Sequence, residues 1–456
     1  MGGKVVGLRK VAVKALHQII ASDHALMMQP KIRRAIHARF TDDSISVREA
    51  CVGLVGMVVV TSSSSKSLRN HNNNNTNHVQ AYMEPLLGRL SDEGVSVRRR
   101  VVKIMRNVLL LEATASGDDK LEDGNNKQAV HTLVCGKLLQ CAANPKEEEA
   151  VRDSIHDLFV ELWFTMTTSS SSSRSNAMEI DTANNGDKQL SAHHARVTRQ
   201  MSAVIDHDTN KRWITLLLKD LLAESNISGK KKSNSSKMPL QAIQSHCKHL
   251  VHALVDQLLN CKHGTESIPV LHTLEVLAEA HHQAQLRDGG NNPIDMSVLR
   301  TLLPYIKPNK EDPASVQAVI TACVCVIVTL CIRNSDAAVE SDISATVVNS
   351  SNLSAGQRDA LSKEMARDLV QLCYTQQSSV LEKAIECLAA LQCEKELNSL
   401  SRTFYKYAHS HMDVSVGSAK KVQNNVHRSL AILGAICRHN LHACADASSV
   451  AIDQSA

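Results

Sequence analysis

The sequence predicts an all-α chain, a solenoid of repeated helix pairs, and three observations carry that reading. A seven-residue motif recurs at an interval of fifty, apolar residues recur at helical spacing, and only two Trp, five Tyr and four Phe occur in 456 residues. So few rings cannot anchor several separate globular cores, because aromatic side chains normally supply much of a core's buried area. A solenoid has no such need: each repeat buries its apolar stripe only against its neighbours, and Leu, Val, Ala and Ile suffice. With nine Pro and 18 Gly, the chain is also poor in the turn residues of a sandwich or barrel.

The motif reads Asp42-Asp43-Ser44-Ile45-Ser46-Val47-Arg48, and then Asp92-Glu93-Gly94-Val95-Ser96-Val97-Arg98, with six of seven positions identical or chemically close. Val151-Arg152 is a weaker third echo. Each Val-Arg opens an apolar face of helical period. The first face holds Val47, Ala50, Cys51, Leu54, Val55 and Val58; the second holds Val97, Val101, Ile104, Met105 and Val108. The Asp and Ser residues just before are helix-start residues, whose side-chain oxygens accept from the first free backbone N–H groups. Segments 32–40 and 79–90 supply the first helix of each pair. A helix, an Asp-bearing turn and a second helix opening on Val-Arg form the pattern of HEAT repeats, whose period is about 40–47 residues. A polar insert at 61–78, with Ser at 62–65 and Asn at 72–75, accounts for the longer interval.

Similar polar spacers stand at 115–127, 167–187, 225–237 and 286–293. Between them, helices are expected at 128–143, 147–164, 192–223, 238–260, 267–285, 295–306, 313–333, 355–374, 378–408 and 421–442. Three parts are expected: basic N-terminal HEAT repeats at 1–166, a Ser/Asn-rich linker at 167–190, and C-terminal HEAT repeats at 191–456.

Charge is concentrated at one end. Residues 1–110 carry 17 Lys and Arg against 7 Asp and Glu, which leaves 34 against 39 for the rest of the totals of 51 and 46. A basic quarter on a near-neutral chain points to a local polyanion-facing surface. No secretory signal is expected, since Lys4, Arg9 and Lys10 interrupt the apolar residues near the start. Thirteen Cys, an odd number lying on apolar helix faces, read as reduced core residues of a cytosolic or nuclear protein. The uncharged stretch 314–332 is diluted by Ser315, Gln317, Thr321 and Thr329, and reads as a helix buried between helices rather than a membrane span.

Several stretches resemble one family. Asp42 to Ala50, and Gly94 to Arg106 with its run Val97-Arg98-Arg99-Arg100-Val101, are similar to HEAT repeats of the cohesin loading factors called Nipped-B, or sister chromatid cohesion protein 2. Leu162-Trp163-Phe164-Thr165 follows in the family's order. So do Cys247-Lys248-His249-Leu250-Val251 with Leu254-Val255-Asp256-Gln257, and Arg428-Ser429-Leu430 with Gly434 to His439. The Ser and Asn tracts are not features of the family's pattern. Its long N-terminal region and the repeats that follow His439 there have no counterpart here, so the chain is expected to represent the middle of a loader. The resemblance implies a nuclear, chromatin-associated scaffold that embraces cohesin and double-stranded DNA, stimulates the cohesin ATPase, and serves sister chromatid cohesion, the cell cycle and transcriptional control. The implied partners are the cohesin ATPase heads and the kleisin. The second loader subunit, which the family holds through that N-terminal region, is expected to associate poorly.

The candidate DNA-binding residues are Arg99, Lys103 and Arg106, at the i, i+4, i+7 spacing that aligns side chains along one helix face, with Arg100 at their edge. Lys31, Arg33, Arg34 and Arg39 on the preceding pair are candidates to extend that surface. Neutralising several phosphates releases counterions, so such binding is steeply salt-dependent. Arg48 and Arg98 read instead as an inter-repeat ladder with Asp42 and Asp92. Lys230-Lys231-Lys232 reads as a solubilising linker before it reads as an import signal. Cys247, His249, His252, Cys261 and His263 are close in sequence, yet the first, second and third lie on one continuous helix, whereas zinc sites draw paired ligands from turns; no metal and no cofactor is expected. Cys323, Cys325 and Cys331 read as core. No Walker loop, G-x-G-x-x-G or G-x-S-x-G occurs, and the chain is read as a non-enzyme. The alternative function is a HEAT adaptor for proteins only, of the transport-receptor or phosphatase-scaffold type.

Overall fold

The computed structural model describes residues 5–64, 74–115, 124–165, 182–206, 208–224, 240–261, 264–288, 297–307, 318–327, 355–375, 378–391, 393–411 and 420–439. Among these residues the chain is built of α-helices with no strand: α1 Val6–Ser22, α2 Pro30–Phe40, α3 Ile45–Ser64, α4 Asn74–Leu87, α5 Val95–Ala115, α6 Gly124–Ala142, α7 Glu149–Trp163, α8 Thr182–Ile205 and α9 Asp208–Glu224. There follow α10 Leu240–Asn260, α11 Ile268–Asp288, α12 Ser297–Ile306, α13 Ala318–Ile327, α14 Ala355–Thr375, α15 Ser378–Ala390, α16 Glu394–Ser410 and α17 Lys420–His439. The chain is thus the all-α solenoid of HEAT-type pairs that its pattern predicts. It divides into two compact units, one formed by 1–193 with 207–239 and the other by 194–206 with 240–456.

In the first unit, α1, α3, α5 and α7 pack side by side as one layer, and α2, α4 and α6 lie against them as a second. Helix α3 is the centre. Val47, Cys51, Val52, Leu54, Val55, Val58 and Val59 are all buried, so it is apolar on nearly every side. That makes α3 long and apolar enough to cross a membrane by length and composition, yet over half of the qualifying window is buried among its neighbours. Glycine sets how close α5 comes: a Cβ on Gly56 would stand 2.1 Å from Ile104 Cδ1, so only a bare backbone admits the Ile104 side chain there. On its far side α1 leaves Leu8, Val11 and Ile19 exposed.

The repeated motif builds the same knot twice. Asp42 Oδ1 accepts from the Ser44 N–H, and Asp92 Oδ1 from the Gly94 N–H, the short Asx turn that lets a carboxylate close its own loop. Each carboxylate then receives a fork from the preceding repeat: Arg9 Nε and Nη2 reach Asp42 at 2.9 and 2.8 Å, and Arg48 Nε and Nη2 reach Asp92 at 2.9 Å each. A second arginine, three residues upstream, completes each set, Arg39 on Asp42 and Arg89 on Asp92. The forked arginine also donates back to its own loop, Arg48 Nη1 to the Asp42 carbonyl at 2.7 Å and Arg98 Nη1 to the Asp92 carbonyl.

The third echo is genuine but altered. Asn144 makes the Asx turn to the Lys146 N–H, Arg152 donates to the Asn144 and Glu147 carbonyls, and Glu147 accepts from Arg98 Nε at 2.9 Å. The ladder expected between Arg48, Arg98, Asp42 and Asp92 is therefore present with shifted partners: Arg48 pairs with Asp92, Arg98 with Glu147, and Arg9 supplies the rung for Asp42.

In the second unit, α10 packs on α11 and α12, α12 on α14, and α14 to α17 pack on one another. Backbone ends are tied by side chains. Tyr305 Oη donates to the Leu258 carbonyl at 2.7 Å, and Arg428 Nε and Nη2 donate to the Cys373 carbonyl near the end of α14. Ser202 and Thr273 share a buried hydrogen bond at 3.1 Å.

Several expected boundaries move. The single helix expected over 192–223 is two, α8 and α9, and the one over 378–408 breaks between α15 and α16. At that break the Cys393 N–H bonds the Leu388 carbonyl, a helix-ending bond reaching five residues back. Helices also run into the expected spacers, α6 starting at Gly124, α8 at Thr182 and α11 ending at Asp288. Of the stretch 314–332, only the ten residues of α13 are described, and its Cys323 is buried with its thiol donating to the Leu302 carbonyl. Lys230 to Lys232, Cys331 and His263 lie outside the described residues.

Asp42 is 6% exposed and is held at about 2 by its hydrogen bond from Arg9, with the Ser44 N–H and Arg39 adding to it. Because its folded value lies below the unfolded one, it contributes about 2 kcal/mol that is present above pH ~4 and lost as pH falls toward about 2. Replacing Arg9 by Gln should therefore shift acid unfolding, followed by circular dichroism, to higher pH. Asp92→Ala should cost about 3 kcal/mol in urea unfolding, because it removes the buried acid that takes the Arg48 fork and leaves that guanidinium only the exposed Glu93 and the loop carbonyls. The exposed neighbour change Asp43→Ala should stay within about 0.5 kcal/mol.

Candidate nucleic-acid interface

The basic candidates separate into those the fold has already used and those it leaves facing solvent. Arg99, Arg100 and Lys103 are exposed on α5, on the side away from its buried Val97, Val101, Ile104, Met105 and Val108. Arg106 is different. It is half-buried and ion-paired with Glu161 of α7, its Nε donating to Oε2 at 2.8 Å. An arginine held that way has little positive field left for a phosphate, so the stripe read from the sequence loses its fourth member.

Arg39 is likewise committed to Asp42. Arg33 and Arg34 are exposed, as is Lys31, but they stand on α2, which belongs to the other helix layer from α5. They therefore stand on a different layer from Arg99 and Lys103.

What extends the α5 surface comes from α1. Gly53 of α3 carries no side chain, and Arg100 occupies that space; a Cβ there would stand 2.9 Å from Arg100 Nη2. Arg100 thus lies across α3, near enough to His17 on α1 to help depress that imidazole. Burial contributes most to holding His17 below its ordinary value, and the Arg100 charge adds to it. One and two turns before His17, at the same i, i+4, i+7 spacing, stand Lys14 and Lys10, the former exposed and the latter half-buried. The basic face therefore consists of Lys10, Lys14 and His17 on α1 with Arg99, Arg100 and Lys103 on α5. Helix α1 did not figure among the sequence candidates. The signal that marks it was present in the 3.6-residue spacing of Lys10, Lys14 and His17.

The buried thiols are pushed up by desolvation, Cys51 and Cys247 to about 12, so they are not nucleophiles at neutral pH. Cys247 is buried, whereas His249 is exposed and stacks on His194 with ring centroids 5.3 Å apart, so α10 does not gather them around one point. No group of three or more His, Cys, Asp or Glu is arranged to hold a metal ion among the described residues.

Fold and surface together define a class: an α-solenoid of HEAT repeats, bound by an arginine–carboxylate ladder and presenting a basic helix face. A family model described as the HEAT repeat associated with sister chromatid cohesion matches residues 14–55, from α1 into α3. The Nipped-B-like protein of Mus musculus is 23% identical over 464 aligned positions, 96% of this chain and 13% of its own length. Nipped-B of Drosophila melanogaster is 25% identical over 61% of this chain and 12% of its own. Among solved structures, the C-terminal fragment of the Chaetomium thermophilum cohesin loader SCC2 shares the fold at a TM-score of 0.63 and 18% identity, over 96% of this chain and 27% of that one. The chain is similar along nearly its whole length to the mouse Nipped-B-like protein, and it spans about an eighth of that relative's length.

The crossing of Arg100 over Gly53 is directly measurable. Arg100→Gln should raise the His17 pKa toward its ordinary value in an NMR titration of the imidazole C–H resonances, because one of the two depressing causes is gone. The value should stay below ordinary, since burial persists.

Proposed function

We propose that this chain is the part of a nuclear cohesin loader that holds duplex DNA beside cohesin and stimulates the cohesin ATPase without itself catalysing a reaction. The reading is supported by the relationship to cohesin loading factors along nearly the whole chain. It is supported independently by the exposed basic face of α1 and α5. Its mechanism is positional. Arg99, Arg100 and Lys103 neutralise phosphates on one strand segment, Lys10 and Lys14 those two helix spacings away across α3, and the rigid ladder beneath keeps the two helices at a fixed separation.

DNA bound there is presented to the ATPase heads and the kleisin of cohesin, which other surfaces of the array contact. Loading of cohesin onto chromatin, sister chromatid cohesion and transcriptional control follow from that presentation. The second loader subunit is at most a weak partner of this stretch in this reading.

His17 gives the DNA reading a pH signature. Its value is depressed in the free protein, and a phosphate placed beside it would raise that value, so binding takes up a proton. Affinity for a duplex should then rise as pH falls from about 8 to about 6, the range in which an imidazole titrates, and His17→Ala should flatten that dependence in fluorescence anisotropy.

The decisive experiment is a salt series with duplex DNA and cohesin. Affinity should fall steeply with salt, and reversing Arg99, Arg100 and Lys103 to Glu should lower the slope of log K against log salt by roughly three, one for each phosphate that is no longer neutralised. Cohesin ATPase should accelerate only with chain and DNA together. Unaltered DNA binding by the triple variant at low salt sinks the assignment of this face. No binding by the native chain at low salt favours the protein-only HEAT adaptor.

A further inference from the structure

The first unit also carries a groove that the ladder and the basic face do not use. It encloses about 720 Å³ between the 88–91 turn, the 144–147 loop and helices α6 and α9. Leu87, Leu90 and Cys141 are buried at its floor, Trp213 of α9 is half-buried on its wall, and Leu133 stands exposed by 44% at its rim. An exposed leucine and a half-buried indole lining one groove are the kind of anchor around which peptide interfaces concentrate their binding energy.

The charges around the groove decide what it would take. Asp92 and Glu147 line it, but both are already held, Asp92 by Arg48 and Arg89 and Glu147 by Arg98. Lys137 and Lys146 are exposed, and neither has an ion-pair partner among the described residues. Against them stands one exposed carboxylate, Glu84, which likewise has no ion-pair partner among the described residues. Among the described lining residues the charge without an ion-pair partner is thus positive by one, beside the accessible Leu133 and Trp213.

We propose that this groove binds a short acidic peptide segment carrying a large apolar side chain, seated against Trp213 and Leu133 with its carboxylates toward Lys137 and Lys146. A nucleic acid fits less well. Its evenly spaced phosphates find only two lysines and meet the opposing charge of Glu84, and its sugars have no use for an apolar anchor such as Leu133. The proposal is independent of the DNA reading, because no residue of the groove belongs to the α1–α5 face.

The chain's two tryptophans make the test simple, since Trp163 is fully buried and Trp213 is half-buried at the groove. The full chain is titrated with the unlabelled hexapeptide Asp-Glu-Leu-Phe-Glu-Asp while tryptophan emission is followed. The expected result is a saturable blue shift. It should be lost in Trp213→Phe, weakened about ten-fold or more by Lys137→Glu with Lys146→Glu, and strengthened about two- to five-fold by Glu84→Lys. These three charged positions are exposed and outside the ladder, so the variants should fold, which circular dichroism checks. The Arg99, Arg100 and Lys103 reversal should leave peptide binding unchanged. Absence of a saturable shift up to millimolar peptide overturns the proposal. So does equal binding of Asp-Glu-Gly-Gly-Glu-Asp, or an equal shift on adding duplex DNA, because either outcome reduces the groove to a general anion surface.

Discussion

The forked hydrogen bond from an arginine of one repeat to the loop carboxylate of the next is the interaction on which the first unit depends. Asp92 receives two nitrogens of Arg48, one of Arg89 and one backbone N–H, so every lone-pair direction of a buried carboxylate is occupied. Burial by itself would raise the Asp92 value, yet the bonds from Arg48 and Gly94 outweigh it and the group stays below its ordinary range. A buried ion pair is a modest source of stability when its desolvation is counted. Its larger effect here is on register. Only one alignment of successive loops brings the fork onto its acid, and the alignment of α3 against α5 follows from that.

Register then has consequences for the surface. With α1, α3 and α5 fixed side by side, the missing side chain at Gly53 becomes a path along which Arg100 crosses to α1. The basic face is therefore a product of three helices, although only two of them contribute charge. The same framework takes Arg106 out of it by giving it a carboxylate, as it does Arg39 on α2. Whether an arginine is available to a ligand is decided by which acids the packing brings within reach.

That distinction marks what could be read from the residues. The helix pairs, the Val-Arg openings and the buried faces of α3 and α5 follow from a period of 3.6 and a repeated motif, both local in sequence. The ladder itself was foreseeable from the pairing of Asp42 and Asp92 with Arg48 and Arg98. Its rungs were not, because Arg48 bonds an acid 44 residues away and Arg98 bonds Glu147, where the motif's Asp is replaced by Asn144. The breaks between α8 and α9 and between α15 and α16 escaped for a similar reason. No Gly or Pro marks either one, and the apolar pattern continues across both.

The ladder also has a direction in time. Each rung joins an arginine to an acid that comes later in the chain, so during synthesis Arg48 is made some 44 residues before Asp92. At about 5–20 residues per second, that leaves the guanidinium without its partner for roughly 2–9 s. The order suits the chemistry: an arginine waiting in water loses nothing, and desolvation is met only when the acid arrives to complete the bond. Each repeat is thus left open on its growing side and is closed by the loop that follows, so that a nascent array can zip in one direction as it emerges.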